Sequence, residues 1–66
     1  MMAPGVSMTR RERETLELLL TGAARKQIAA RMGVSLHTVH DYVKAVFKKL
    51  GVNSRAELMA KAMESS

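Results

Sequence analysis

The sequence predicts an all-α fold, a four-helix bundle, on three observations. Apolar residues recur at i, i+3 and i+4 along most of the chain, Gly22, Gly33 and Gly51 stand where those runs end, and no stretch alternates apolar and polar side chains as a half-buried strand would. The length of 66 residues leaves room for one domain with one small core. A domain of this size buries only roughly 60% of its unfolded surface, so its own stability is expected to be modest and association with a partner is plausible. The expected domain spans residues 8–64, with residues 1–7 and the last two expected to lack fixed structure.

The first helix is expected to start after Thr9. Its hydroxyl can accept from a backbone N–H while Glu12 reaches back, the reciprocal arrangement of a capping box. The helix runs to about Thr21, with Leu16, Leu19 and Leu20 on one buried face, and Gly22 supplies the left-handed stop. The second runs from about Arg25 to Met32 and buries Ile28, Ala29 and Met32. Its N-cap position is Ala24, which offers no acceptor; relative to Ser this costs about 1 kcal/mol and leaves Gln27 with half a capping box. The third helix begins after Ser35 and continues to about Leu50, where Gly51 ends it. The fourth starts at Ser54 with Glu57 as its capping partner and reaches roughly Met63.

Composition excludes several function classes. Without cysteine there is neither a disulfide framework nor a cysteine zinc site. One Tyr, one Phe and no Trp leave no stacking platform for single-stranded nucleic acid. No apolar run approaches the ~20 residues of a membrane span. Met1 to Ser7 lacks the charged and apolar regions of a signal peptide, so the expected location is the cytoplasm and no membrane partner is expected. There is no nucleophile and base pair with a third orienting group and no phosphate loop, so an enzyme is not expected and no cofactor is implied.

The net charge of +5 is unevenly placed. Residues 1–24 balance Arg10, Arg11 and Arg13 against Glu12, Glu14 and Glu17, and residues 50–66 balance Arg55 and Lys61 against Glu57 and Glu64. The whole excess lies in residues 25–49, where Arg25, Lys26, Arg31, Lys44, Lys48 and Lys49 face only Asp41. Such a concentration suits a polyanion, because neutralised phosphates release counterions and supply sequence-independent affinity. A merely solvated basic face is the plainer alternative.

The short second helix, the turn Gly33-Val34-Ser35 and the longer third helix have the proportions of a helix-turn-helix. Ala29 is small enough for close helix approach, Gly33 can take the positive φ of a tight turn, and Val39 can pack its branched side chain back on the second helix. An ordinary helical hairpin is the alternative. Along the third helix Val39, Val43, Val46 and Leu50, with Tyr42 beside them, form the inward face. His37, His40, Asp41, Lys44 and Lys48 form a polar stripe opposite. Mixed donors and acceptors in its first half and lysines in its second suit base edges first and phosphates next. His37, His40, Asp41 and Lys44 are therefore the candidate base readers. Asp41 can accept from a cytosine amino group, or simply pair with Lys44 or His37 along the helix. The phosphate candidates are Arg25, Lys26, Ser35, Thr38, Lys48 and Lys49, helix N-termini themselves favouring anions. His37, His40 and Asp41 also carry metal-ligating groups, but on a solvated helix they read as polar residues and no metal site is expected.

Thr9-Arg10-Arg11-Glu12-Arg13-Glu14, Gly22, Lys26-Gln27-Ile28-Ala29, Ser35, Thr38-Val39 and Lys49-Leu50-Gly51-Val52 together resemble the LuxR/GerE-type DNA-binding domain found at the C-terminus of NarL/FixJ-type bacterial response regulators. The resemblance covers about residues 8–60. It implies a four-helix fold with the third helix in the major groove of double-stranded DNA, and dimerisation largely through the fourth helix on paired half-sites. Its base-contacting positions fall on His40, Asp41 and Lys44. Where that family usually has Lys, His and Asn in the third helix, this chain has His40, Tyr42 and Ala45, and Ala23-Ala24 replaces a frequent Leu-Ser.

On the fourth helix Leu58 and Ala62 suffice for docking, yet Ala56, Met59, Ala60 and Met63 widen its apolar arc. Methionine adapts to many partners, and a two-fold dimer matches paired half-sites, so these four are the candidate homodimer interface. RNA polymerase is a further candidate partner of a transcriptional regulator. Two other readings stand beside this one: a sigma-factor-like promoter-reading domain, disfavoured by the short connection from Gly22 to Arg25 and a full fourth helix, and a protein-interaction module without DNA binding, disfavoured by the clustered charge. The chain fits either an excised output domain or a free-standing small regulator.

Overall fold

The computed structural model describes residues 7–64. It contains α1 (Arg10–Leu20), α2 (Arg25–Met32), α3 (Leu36–Leu50) and α4 (Arg55–Glu64), and no strand among the described residues. The all-α expectation holds, with helix bounds within about a residue of those read from the caps. The expectations for residues 1–7, apart from the exposed Ser7, and for residues 65 and 66 lie outside the described residues.

The caps explain this agreement. Thr9 Oγ1 accepts from the Glu12 N–H at 3.1 Å and the Thr9 N–H donates to Glu12 Oε1 at 2.9 Å, so two orphan donors are satisfied at once. At α2 only the return half exists, the Ala24 N–H donating to Gln27 Oε1 at 2.8 Å. At α4 the expected reciprocity is altered. Ser54 Oγ accepts from the Glu57 N–H at 3.2 Å, but Glu57 Oε1 takes the N–H of Asn53 instead of Ser54. The helix stops share one geometry. Gly33 has φ +69°, and the Val34 N–H returns to the Ala29 carbonyl at 3.1 Å; the Val52 N–H returns to Phe47 at 3.0 Å in the same way. These are the six-to-one closures of the Schellman motif, and they turn the next residue inward. Val52 is buried accordingly, and Val34 packs against the core.

The core is assembled from all four helices around α3. Leu19, Ile28, Val39, Val43, Val46 and Leu58 are each at most 2% exposed. Fully burying such a side chain is worth about 1.5–3 kcal/mol. Leu16, Tyr42 and Leu50 are half-buried against this cluster. Leu20 corrects the expected α1 face: it is 38% exposed, and its place is taken by Thr15 at 0%. Thr15 lies between Glu12 and Leu19 at i+3 and i+7, on the true buried stripe. Its hydroxyl donates to the Arg11 carbonyl at 2.9 Å, which removes the cost of burying a polar group.

Three long-range polar contacts fix the relative rotation of the helices. Lys49 Nζ at the end of α3 meets Glu12 Oε1 at 2.6 Å. Arg55 Nη2 donates to the Ala23 carbonyl at 2.7 Å, tying the start of α4 to the α1–α2 turn. Arg11 Nη2 donates to the Met32 carbonyl at 3.4 Å, at the end of α2 where carbonyls lack helical partners. The Lys49 ammonium bonded to it, followed by the Thr9 backbone N–H, holds the Glu12 carboxyl below its ordinary value.

Candidate nucleic-acid interface

The outward face of α3 is positioned from behind. Val39, Val43 and Val46 are buried at helical spacing with Tyr42 packed beside them, so the opposite side of the helix points away from the core. His37, Asp41, Lys44 and Lys48 are exposed along that face and His40 is half-buried. His37 Nε2 stands 3.8 Å from Asp41 Oδ2, with the two side chains 87% and 64% exposed. A pair this open contributes little to stability and leaves both groups accessible. Among the described residues no three His, Asp or Glu side chains come together as a metal site, and no helix is long and apolar enough to cross a membrane.

The first turn of α3 is capped by its own hydroxyls. Ser35 Oγ accepts from the Thr38 N–H at 3.1 Å and lies 2.9 Å from Thr38 Oγ1. Neither α2 nor α3 has an acidic residue in its first turn, whereas α1 carries Glu12 and α4 carries Glu57 there. The positive dipole ends of the two helix-turn-helix helices are therefore not neutralised by their own side chains, a condition that favours external anions. Arg25 and Lys26 are exposed at the start of α2, beside this end of α3.

Besides the Ser35–Thr38 pair, the structure gives two of the basic phosphate candidates protein partners. Lys49 is bonded to Glu12, so its charge serves the α1–α3 joint. Arg25 Nη1 lies 2.6 Å from His40 Nδ1, which brings a phosphate candidate and a base-reading candidate together. No local pattern announces either contact, since the partners are separated by 37 and 15 residues. Leu36 was also missed. It is 38% exposed at the first position of α3, one turn before His40 and at the border between the valine face and the polar stripe. Its spacing to Val39 and Val43 is that of the inward series, so no sequence signal separates it, and only its exposure does.

On α4, Leu58 is buried and Ala62 half-buried, while Ala56 and Ala60 are exposed, Met59 is half-buried and Met63 is 77% exposed.

A short helix packed across a longer one through a tight glycine turn, with the longer helix anchored by valines and its polar face free, defines a helix-turn-helix domain. The chain belongs to the luxR family of bacterial regulatory proteins, which matches residues 6–62. Over 57 residues it is 47% identical to the probable transcriptional regulatory protein SgaR of Hyphomicrobium methylovorum, covering 86% of this chain and 27% of that protein. It is 45% identical over 51 residues to the transcriptional regulatory protein UhpA of Escherichia coli, covering 77% of this chain and 26% of that one. To the spore germination protein GerE of Bacillus subtilis it is 34% identical over 56 residues, covering 85% of this chain and 76% of GerE. The chain thus spans about a quarter of SgaR and UhpA and three quarters of GerE. It is a domain of the LuxR/GerE type of transcriptional regulator.

Proposed function

We propose that this domain binds double-stranded DNA in a sequence-dependent way, as a homodimer, with α3 in the major groove, within a cytoplasmic regulator of transcription. The observation that carries the reading is the division of α3 into a buried valine series and an exposed polar stripe flanked by uncompensated helix N-termini. His37, His40, Asp41 and Lys44 read base edges, and Leu36 adds an apolar contact suited to a thymine methyl group. Lys26, Ser35, Thr38 and Lys48 engage phosphates, together with the donors of Arg25 not used on His40. Lys49 contributes mainly through the Glu12 joint. Ala56, Met59, Ala60 and Met63 form the dimer contact, so that two copies of α3 address half-sites about one helical turn apart.

Fluorescence anisotropy against random-sequence duplex across a salt series tests this. A groove-binding domain loses affinity steeply and linearly in log affinity against log salt, because each phosphate contact releases counterions. A protein-interaction module, the reading the exposed methionine of α4 would otherwise favour, shows no binding at any salt concentration.

A further inference from the structure

Arg25 opens α2, and its Nη1 lies 2.6 Å from Nδ1 of His40 on α3. A guanidinium carries five N–H donors, has no acceptor and stays protonated in proteins. At this contact the imidazole must therefore accept, so Nδ1 bears no hydrogen and the ring proton sits on Nε2. The bond made by one ring nitrogen decides the state of the other. Among the described residues Nε2 has no protein partner.

Building on the groove-binding reading, we propose that Arg25 is a positioning residue for base selection: it holds His40 as the neutral Nε2–H tautomer, which donates to a base-edge acceptor and rejects an amino group. The acceptors available in the major groove are purine N7, guanine O6 and thymine O4, and the groups rejected are the cytosine N4 and adenine N6 amino groups. Without Arg25 the imidazole is free to place its proton on Nδ1. Nε2 then becomes an acceptor, and a cytosine or adenine amino group becomes a partner instead of a clash. Arg25 thus acts on sequence preference through another side chain. A role confined to phosphate contact would weaken every sequence alike.

The test uses the 66-residue chain and two readouts. Imidazole nitrogen resonances of the labelled chain are recorded at pH 8. Wild type should show His40 as a single Nε2–H species, and Arg25→Ala should convert it to a mixture while His37 stays unchanged. The substitution is at an exposed helix position and alanine favours helix, so the fold is retained. Anisotropy is then measured on the duplex recovered from a randomised pool and on its single-base variants. Arg25→Ala should reduce the preference at one base position by about fivefold to tenfold, and should add nothing to that loss when made together with His40→Ala. A His40 spectrum identical in wild type and Arg25→Ala overturns the proposal, as does an equal loss of affinity on every duplex. Absence of duplex binding by the wild type overturns the groove-binding reading and the base-selecting role with it, whereas binding with an unchanged His40 spectrum overturns the Arg25 role alone.

Discussion

Ile28 is completely buried where α2 packs against the rest of the core, and replacing it with Ala is the sharpest test of how the reading helix is supported. The change removes three carbons, worth about 2.4 kcal/mol at roughly 0.8 kcal/mol each. The surrounding side chains relax only partly, so a cavity term is added and the expected loss is about 3–4 kcal/mol. A chain of this length has a total stability of about 3–10 kcal/mol. The substitution therefore consumes a third or more of it and brings a marginal domain close to unfolding. Urea unfolding followed by helical circular dichroism gives the value, with Ile28→Val as the graded control at about 0.5–1.5 kcal/mol. A loss below about 1 kcal/mol for Ile28→Ala, with an unchanged denaturant slope, would refute the packing argument.

Three further outcomes follow from particular contacts. The Glu12 carboxyl is held below its ordinary value of 4.5 chiefly by Lys49, so its stabilisation is present above that value and is lost as pH falls through the lower folded-state value; urea midpoints from pH 7 downward should show this loss, and Glu12→Gln should flatten the acid slope. At Gly33 an added Cβ would meet nothing within 4 Å, yet φ is +69°, so Gly33→Ala should cost about 1–2 kcal/mol from backbone conformation alone, a neutral result contradicting the left-handed stop. Met63→Glu, at a side chain 77% exposed, should leave the urea midpoint of the monomer unchanged while lowering the mass seen by sedimentation and the cooperativity on paired half-sites; an unaltered dimer would remove Met63 from the interface.

Much of this architecture was legible because it rests on local chemistry. Thr9 with Glu12, Ser35 and the left-handed glycines act within a few residues of themselves, and they delimit the helices almost to the residue. The valine series of α3 likewise fixes which side chains face outward. Periodicity gives the direction of a buried arc less sharply than its existence, which is why the spacing predicts Leu20 inside and gives no sign of Thr15. Thr15 can be buried because a carbonyl four residues back takes its hydroxyl proton. Long-range polar pairs are a different matter. Whether Lys49 meets a phosphate or Glu12, and whether Arg25 stands free or against His40, depends on how α1, α2 and α3 are rotated about their axes. No sequence spacing encodes that rotation, and it alters the roles of both basic residues.

The claim that the outward stripe of α3 reads bases is tested most directly by comparing two lysine substitutions on a selected duplex and its single-base variants. Lys44→Ala should lower discrimination among these sites by about 1–3 kcal/mol, while Lys26→Ala should weaken all of them alike and reduce the salt slope by about one. Equal weakening on every duplex by Lys44→Ala would contradict the assignment of this face to base reading.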